Sequence, residues 1–138
     1  MEATLRRSGW QGGEGTKGVP GMTNLDAVSA WVDKYRKAWE SNDPEDVREL
    51  FAGDAAYLTA PYAKPWIGRE AIVAGWLKHR DRPGTTTFTW HPLIVTEEMA
   101  VIEASTTYPK RRYRNLWVLR LDLTGQARQF TEWWMREP

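Results

Sequence analysis

At Gly84 the apolar spacing of this chain changes from three-and-four to two, and that single change limits the architectures open to it. Before it, Val28, Trp31, Val32, Tyr35, Ala38 and Trp39 recur at helical intervals, with Asp33, Lys34, Arg36, Lys37 and Glu40 between them. After it, Thr87, Thr89 and His91 alternate with Phe88 and Trp90. Ala100, Ile102, Ala104, Thr106 and Tyr108 then alternate with Glu103, Ser105 and Thr107. Further alternating runs cover Tyr113 to Asp122 and Ala127 to Met135, joined by a turn at Leu123-Thr124-Gly125, and Pro109 to Arg112 joins the preceding pair. Helices followed by hairpin-linked strands predict an α+β fold, a curved antiparallel sheet with helices on one face.

The helical half divides at Ser41-Asn42-Asp43-Pro44, where Asp43 caps a short second helix and Pro44 takes its first position. Val47, Leu50 and Phe51 supply its buried side, Gly53-Asp54 predicts a turn, and Ala55 to Thr59 a short strand. Two prolines make residues 61–65 a loop. Gly68 precedes a third helix, Arg69 to about His79, with Ile72, Val73 and Trp76 on its apolar face, and Arg80-Asp81-Arg82-Pro83-Gly84 breaks it. Residues 1–23 are glycine-rich and without period, which predicts a disordered tail ahead of one domain over 24–138, with Asn24 or Thr23 capping the first helix.

Composition removes several functions. Lysine plus arginine (19) nearly balances aspartate plus glutamate (18), so no excess charge draws the chain to nucleic acid or to an anionic membrane. There is no cysteine, and the two histidines have no metal-ligand spacing, so neither a disulfide framework nor a metal is expected. No apolar run approaches the roughly twenty residues that span a bilayer, and no apolar leader opens the chain; a cytoplasmic location is the default. Phosphate-loop, nucleophile-elbow and kinase motifs are absent. The basic run Lys110-Arg111-Arg112-Tyr113-Arg114 reads either as a polyanion contact or as a solvated hairpin turn.

Nine tryptophans in 138 residues point to an aromatic-lined interior, cavity or interface. The closing run Phe130-Thr131-Glu132-Trp133-Trp134-Met135 places Phe130, Glu132 and Trp134 on one face of a strand and Thr131, Trp133 and Met135 on the other. If the first face borders a hollow, Glu132 is an acid among rings. If it meets water, Glu132 is an ordinary surface charge.

Several segments carry a resemblance: Tyr35 to Asp43, Leu50-Phe51-Ala52-Gly53-Asp54-Ala55, Trp66-Ile67-Gly68-Arg69-Glu70-Ala71-Ile72, and the hairpin from Asn115-Leu116-Trp117 through Trp134. Together they resemble the SnoaL-like branch of the nuclear transport factor 2-like superfamily, which also includes ketosteroid isomerases and polyketide cyclases. The resemblance implies a cone: three N-terminal helices packed on a strongly bent, mostly antiparallel sheet around an apolar pocket. It places Tyr35, Tyr57, Trp76, Trp117, Phe130, Glu132 and Trp134 around that pocket, with Trp66, His79 and Asn115 as further ligand contacts and Arg120 facing solvent. Where ketosteroid isomerases carry a base, this chain has Ala60, and Trp117 falls near their second acid, so that reaction is not expected.

By likeness to the polyketide cyclases, Glu132 is the candidate acid/base; Tyr35 falls on the helix-one tyrosine of the ketosteroid isomerases and is the candidate polariser of a ligand carbonyl, with no cofactor. Each has a plainer alternative: Glu132 paired with Arg69, Arg112 or Arg114, and Tyr35 a core residue tied to Tyr57. Asn115 either orients a ligand or satisfies a buried group. His79 suits a helix C-terminus whether or not it meets a ligand. His91, before Pro92 on a strand end, reads as structural, and Trp31 and Trp39 as core. The expected partners are a small apolar or aromatic molecule and a second copy of the chain, docked through the outer sheet face that carries Thr131, Trp133 and Met135.

Overall fold

The computed structural model describes residues 23–138, so the tail expected over residues 1–22 lies outside them. Thr23, which the sequence places in that tail, is buried. Its N–H donates to the Glu97 carbonyl at 3.3 Å and its hydroxyl accepts from Leu121 N–H at 3.2 Å.

Helix α1 (Leu25–Ser41) begins where the Asn24 side chain accepts the Ala27 N–H at 2.9 Å. It ends where Asn42 turns left-handed (φ 51) and returns its N–H to Ala38. Between these caps Val28, Trp31, Val32, Tyr35 and Ala38 form one buried stripe. Helix α2 (Pro44–Arg48) is capped by Asp43, whose carboxylate accepts from Glu45 N–H at 2.9 Å, with Pro44 in the first turn. Strands β1 (Phe51–Leu58) and β2 (Trp66–Ile67) precede helix α3 (Arg69–Lys78). The rest is β3 (Thr87–Val95), β4 (Ala100–Tyr108), β5 (Arg111–Leu121) and β6 (Ala127–Arg136). Among the described residues no helix is long and apolar enough to cross a membrane.

The six strands form one sheet in the order β2-β1-β6-β5-β4-β3. Only β1 and β6 run parallel, because they are joined by the whole intervening chain rather than by a hairpin. Irregularities in register between Phe51 and Ala56, Pro92 and Ile94, and Arg120 and Leu121 kink the strands, as bulges do, and favour the curved sheet. The helices cover its concave face. Trp31 sits at the centre of the core, its indole N–H donating to the Leu50 carbonyl at 2.9 Å and its ring meeting Phe51, Trp117 and Phe130 at 5.6–6.3 Å.

Four local expectations are corrected. Gly53-Asp54 is not a turn. Strand β1 starts at Phe51, and the irregular stretch between Phe51 and Ala56 carries both residues in exposed positions. The β4–β5 turn is tighter than expected: Tyr108 pairs directly with Arg111, so Arg111 and Arg112 belong to β5. His91 lies inside β3, exposed and 3.1 Å from Glu103, because β3 is an edge strand and tolerates Pro92. Arg120 is half-buried and donates to the Glu98 carbonyl at 3.4 Å.

The two-residue strand β2, too short to show a period, pairs Trp66 with Tyr57 and Ile67 with Ala56. It lays the Trp66 ring on α3 at Gly75, where a Cβ would fall 2.6–2.7 Å from the indole. Alanine gains roughly 0.5–1 kcal/mol over glycine in a helix interior, but overpacking costs about 1–3 kcal/mol and Trp66 is held from both sides. Gly75→Ala is therefore expected to lower the melting temperature and shift tryptophan emission. An unchanged or raised melting temperature would show that Trp66 yields freely.

Candidate functional site

The concave face and the helices enclose a cavity of about 580 Å³. Pairing of Trp117 with Glu132 and of Asn115 with Trp134 brings these four side chains to the inner face of β5 and β6. Tyr35 enters from α1, Tyr57 from β1, Trp66 from β2, and Trp76 and His79 from the end of α3. All nine line the hollow. Phe130 does not. It is fully buried behind the wall, 4.8 Å from Tyr57 and 4.9 Å from Trp117 between ring centres. Alternation put it on the correct face, but α1 already packs over that part of the strand.

A chain of hydrogen bonds crosses three strands to reach Glu132. The Thr106 hydroxyl donates to Asn115 Oδ1 at 2.9 Å, which turns the Asn115 amide so that Nδ2 donates to Glu132 Oε2 at 2.5 Å. Asn115 thus positions the acid rather than satisfying backbone. The arginines that might have neutralised Glu132 are engaged elsewhere. Arg69 donates to the Phe51 carbonyl, Arg112 lies 3.8 Å from Glu137, and Arg114 lies 3.8 Å from both Glu103 and Glu137.

With no cation paired to it among the described residues, burial dominates and pushes the Glu132 carboxyl up to about 7. The Asn115 amide and the Trp117 indole N–H oppose that shift by favouring the anion. The Trp117 N–H faces the carboxyl without the alignment of a full hydrogen bond.

Tyr35 and Tyr57 share a hydrogen bond of 3.2 Å between hydroxyls. Burial, with the nearby Tyr57 and Glu132, lifts Tyr35 well above the ordinary phenol range, and burial and Glu132 raise Tyr57. Both therefore stay protonated and able to donate. His79 stacks on Trp66 at 5.9 Å, and its Nδ1 lies 3.0 Å from the Gly75 carbonyl, which can only accept, so that nitrogen carries the proton. Trp134 is half-exposed at the mouth, edge-on to Tyr113.

Several wall residues escaped the sequence reading. Trp39, assigned to the core, is half-buried and lines the hollow, as do Asp81 and Tyr108. Trp39 Nε1 and Tyr108 Oη each donate to Asp81 Oδ2 at 2.9 Å. The alternation of β4 already put Tyr108 on the inner face, but nothing in the string Arg80-Asp81-Arg82-Pro83-Gly84 marks its aspartate off from an ordinary helix breaker. Within the basic run, Arg111 lies over the Tyr108 ring, 4.1 Å from its centre, at the cavity rim.

A helix-wrapped bent sheet with a cavity between the layers is the architecture of the nuclear transport factor 2-like proteins, and solved structures agree. The chain is similar to an NTF-2-like protein of unknown function from Burkholderia xenovorans (TM-score 0.65, 13% identity, 82% of this chain and 86% of that one). It is also similar to a protein from Sphaerobacter thermophilus (0.63, 20%, 84% and 99%). A third likeness is to a steroid delta-isomerase from Pseudomonas aeruginosa (0.58, 17%, 83% and 83%). No curated protein matches the sequence. The SnoaL-like domain matches residues 32–134, and the chain belongs to that family.

The raised Glu132 pKa carries a stability consequence. An unfolded glutamate ionises near 4.5, whereas the folded one holds its proton to about 7. Its favourable contribution is therefore complete below about pH 4.5 and is lost as pH rises through 7. Glu132→Gln, which keeps an acceptor for Asn115, is expected to be more stable than wild type at pH 8.5, by about 3 kcal/mol, and no more stable at pH 4. Thermal melts at the two pH values check this; an equal difference at both would refute the shifted acid.

Proposed function

We propose that this protein binds a small apolar or aromatic molecule in the cavity and catalyses a proton transfer or cyclisation on it, without a cofactor. The observation that carries the reading is a carboxyl poised near 7 in an aromatic hollow, with no cation opposite it among the described residues. At that poise Glu132 serves as base in its ionised form and as acid in its protonated form. The Glu132 anion takes a proton from a carbon next to a ligand carbonyl. The Tyr35 hydroxyl, backed by Tyr57, donates to the oxygen on which negative charge develops. Glu132 then returns the proton to another carbon, or the enolate carbon attacks a second carbonyl of the ligand, whose π bond opens as the ring closes, and Glu132 gives its proton to the alkoxide so formed. Asn115 holds the acid and the indoles exclude water.

The likeness to a steroid delta-isomerase supports proton transfer as the class of chemistry. Steroid isomerisation itself is disfavoured. Ala60, at the place expected for its base, is buried and does not line the hollow, and Trp117 stands near the place of its second acid.

A thermal-shift screen of aromatic and polyketide-like compounds, with mass spectrometry of any ligand that co-purifies, should find stabilising ligands. With a turned-over compound, Glu132→Gln should cut kcat at least about 100-fold while the ligand still stabilises the variant, and Tyr35→Phe should cost about 10- to 100-fold. Where proton abstraction limits the rate, kcat should rise with pH and level off above about 7. A full-rate Glu132→Gln enzyme would sink the mechanism, and a screen without a single stabilising ligand would sink the binding role.

A second reading is a non-catalytic scaffold that self-associates through the outer sheet face. There Trp133 is 48% and Met135 71% exposed, and Trp133 lies across from Leu116. Trp133→Ala should then shift sedimentation from dimer toward monomer, and a wild-type protein that is monomeric at high concentration rules this out.

A further inference from the structure

Asp81 sits where a carboxylate is locally disfavoured. It follows the C-terminal end of α3, whose last carbonyls repel negative charge, and no basic side chain lies within ion-pairing distance of it among the described residues. Yet three hydrogen bonds from other segments hold it at the cavity rim. Trp39 from α1 and Tyr108 from β4 both donate to its Oδ2, and the Asn42 amide donates to its backbone carbonyl at 3.1 Å. A residue that breaks a local preference while being fixed from three sides is a mark of function.

Both side-chain bonds fall on one oxygen. Among the described residues none bonds Oδ1, and that atom is not among the sealed polar atoms left without a partner, so it is open to a visitor. The nearby arginines do not claim it: Arg80 donates to the Leu77 carbonyl, Arg111 lies over the Tyr108 ring, and among the described residues no ion pair joins Arg82 to Asp81. Tyr108, raised by burial and by its bond to Asp81, keeps its proton and so keeps Oδ2 occupied. What remains is a fixed, single acceptor at the rim. Deeper in the hollow stands the donor Tyr35.

We propose that Asp81 is the second polar anchor of the cavity, and that the ligand is an aromatic molecule with two polar ends. One end is an oxygen that accepts from Tyr35, and the other is a hydroxyl or amine that donates to Asp81. The inference rests on the cavity being a ligand site, as argued above, and narrows the ligand class from apolar aromatics to donor-bearing ones. An anion at the second end is disfavoured by the carboxylate. A purely apolar ligand leaves Oδ1 desolvated and unpaired.

Calorimetric titration of the full chain with three probes of one aromatic body tests this. The probes are 2-naphthol, 2,6-dihydroxynaphthalene and 6-methoxy-2-naphthol. Wild type should bind the diol at least about tenfold tighter than the methoxy compound, the scale of one hydrogen bond to a charged group. In Asp81→Asn the amide oxygen can go on accepting from Trp39 and Tyr108 while the amide nitrogen replaces the free oxygen, so an acceptor becomes a donor. The diol's advantage should then vanish or reverse in favour of the methoxy compound.

A wild type that does not prefer the diol overturns the proposal, and that comparison needs no substitution to fold. So does an Asp81→Asn variant that keeps the preference. If 2-naphthol binds and weakens in Tyr35→Phe while the diol and methoxy probes bind alike, Asp81 alone is refuted. If 2-naphthol does not bind at all, the cavity reading falls with it.

Discussion

Everything in this molecule depends on how α1 buries its aromatic stripe against the concave face of the sheet. Trp31 reaches furthest in, tied through its indole N–H to the Leu50 carbonyl and wedged edge-on against Phe51, Trp117 and Phe130. Filling by so large a ring closes the lower part of the cone, and the layers part above it. Tyr35, about one turn further along the helix, packs tilted on Trp117 at 4.6 Å and edge-on to Trp76 at 4.9 Å. That leaves only its far side for the hollow. The cavity is thus a consequence of ring size and sheet curvature together.

That geometry also creates the electrostatics. Among the described residues, Glu132 on the concave face has an amide and an indole but no cation to stabilise its charge, so burial prevails and its protonation falls in the neutral range. The same lack of water keeps the phenols of Tyr35 and Tyr57 protonated beside it. Donors and a titrating acid therefore share one small space, while the rim carries a second carboxylate with a different task. The contrast between Glu132, which is short of partners, and Asp81, which is held by two donors, gives the hollow two chemically distinct ends.

Much of this was legible in the sequence because it depends on period. The three-and-four spacing of α1 and the two-residue alternation of β4, β5 and β6 determine which side chains share a face whatever the details of packing, and the family resemblance then implied that the faces carrying Tyr35, Trp117, Glu132 and Trp134 meet around one pocket. Features without a period were missed. Strand β2 is two residues long, the irregularity in β1 hides behind turn-like Gly53-Asp54, and Asp81 sits in a loop whose composition says only that a helix has stopped. Phe130 shows the limit from the other side: correct face, wrong layer.

The sequence alone determined the fold class, the order of elements and the inward set of each strand, because those follow from local geometry repeated along the chain. Only the tertiary structure decided which inward residues border space and which are sealed behind others. It also decided that no cation pairs with Glu132 among the described residues, that Asn115 serves Glu132, and that Trp39 and Tyr108 converge on Asp81. Those outcomes depend on distances between segments up to about a hundred residues apart in sequence, such as Tyr35 and Glu132, and no local pattern encodes them.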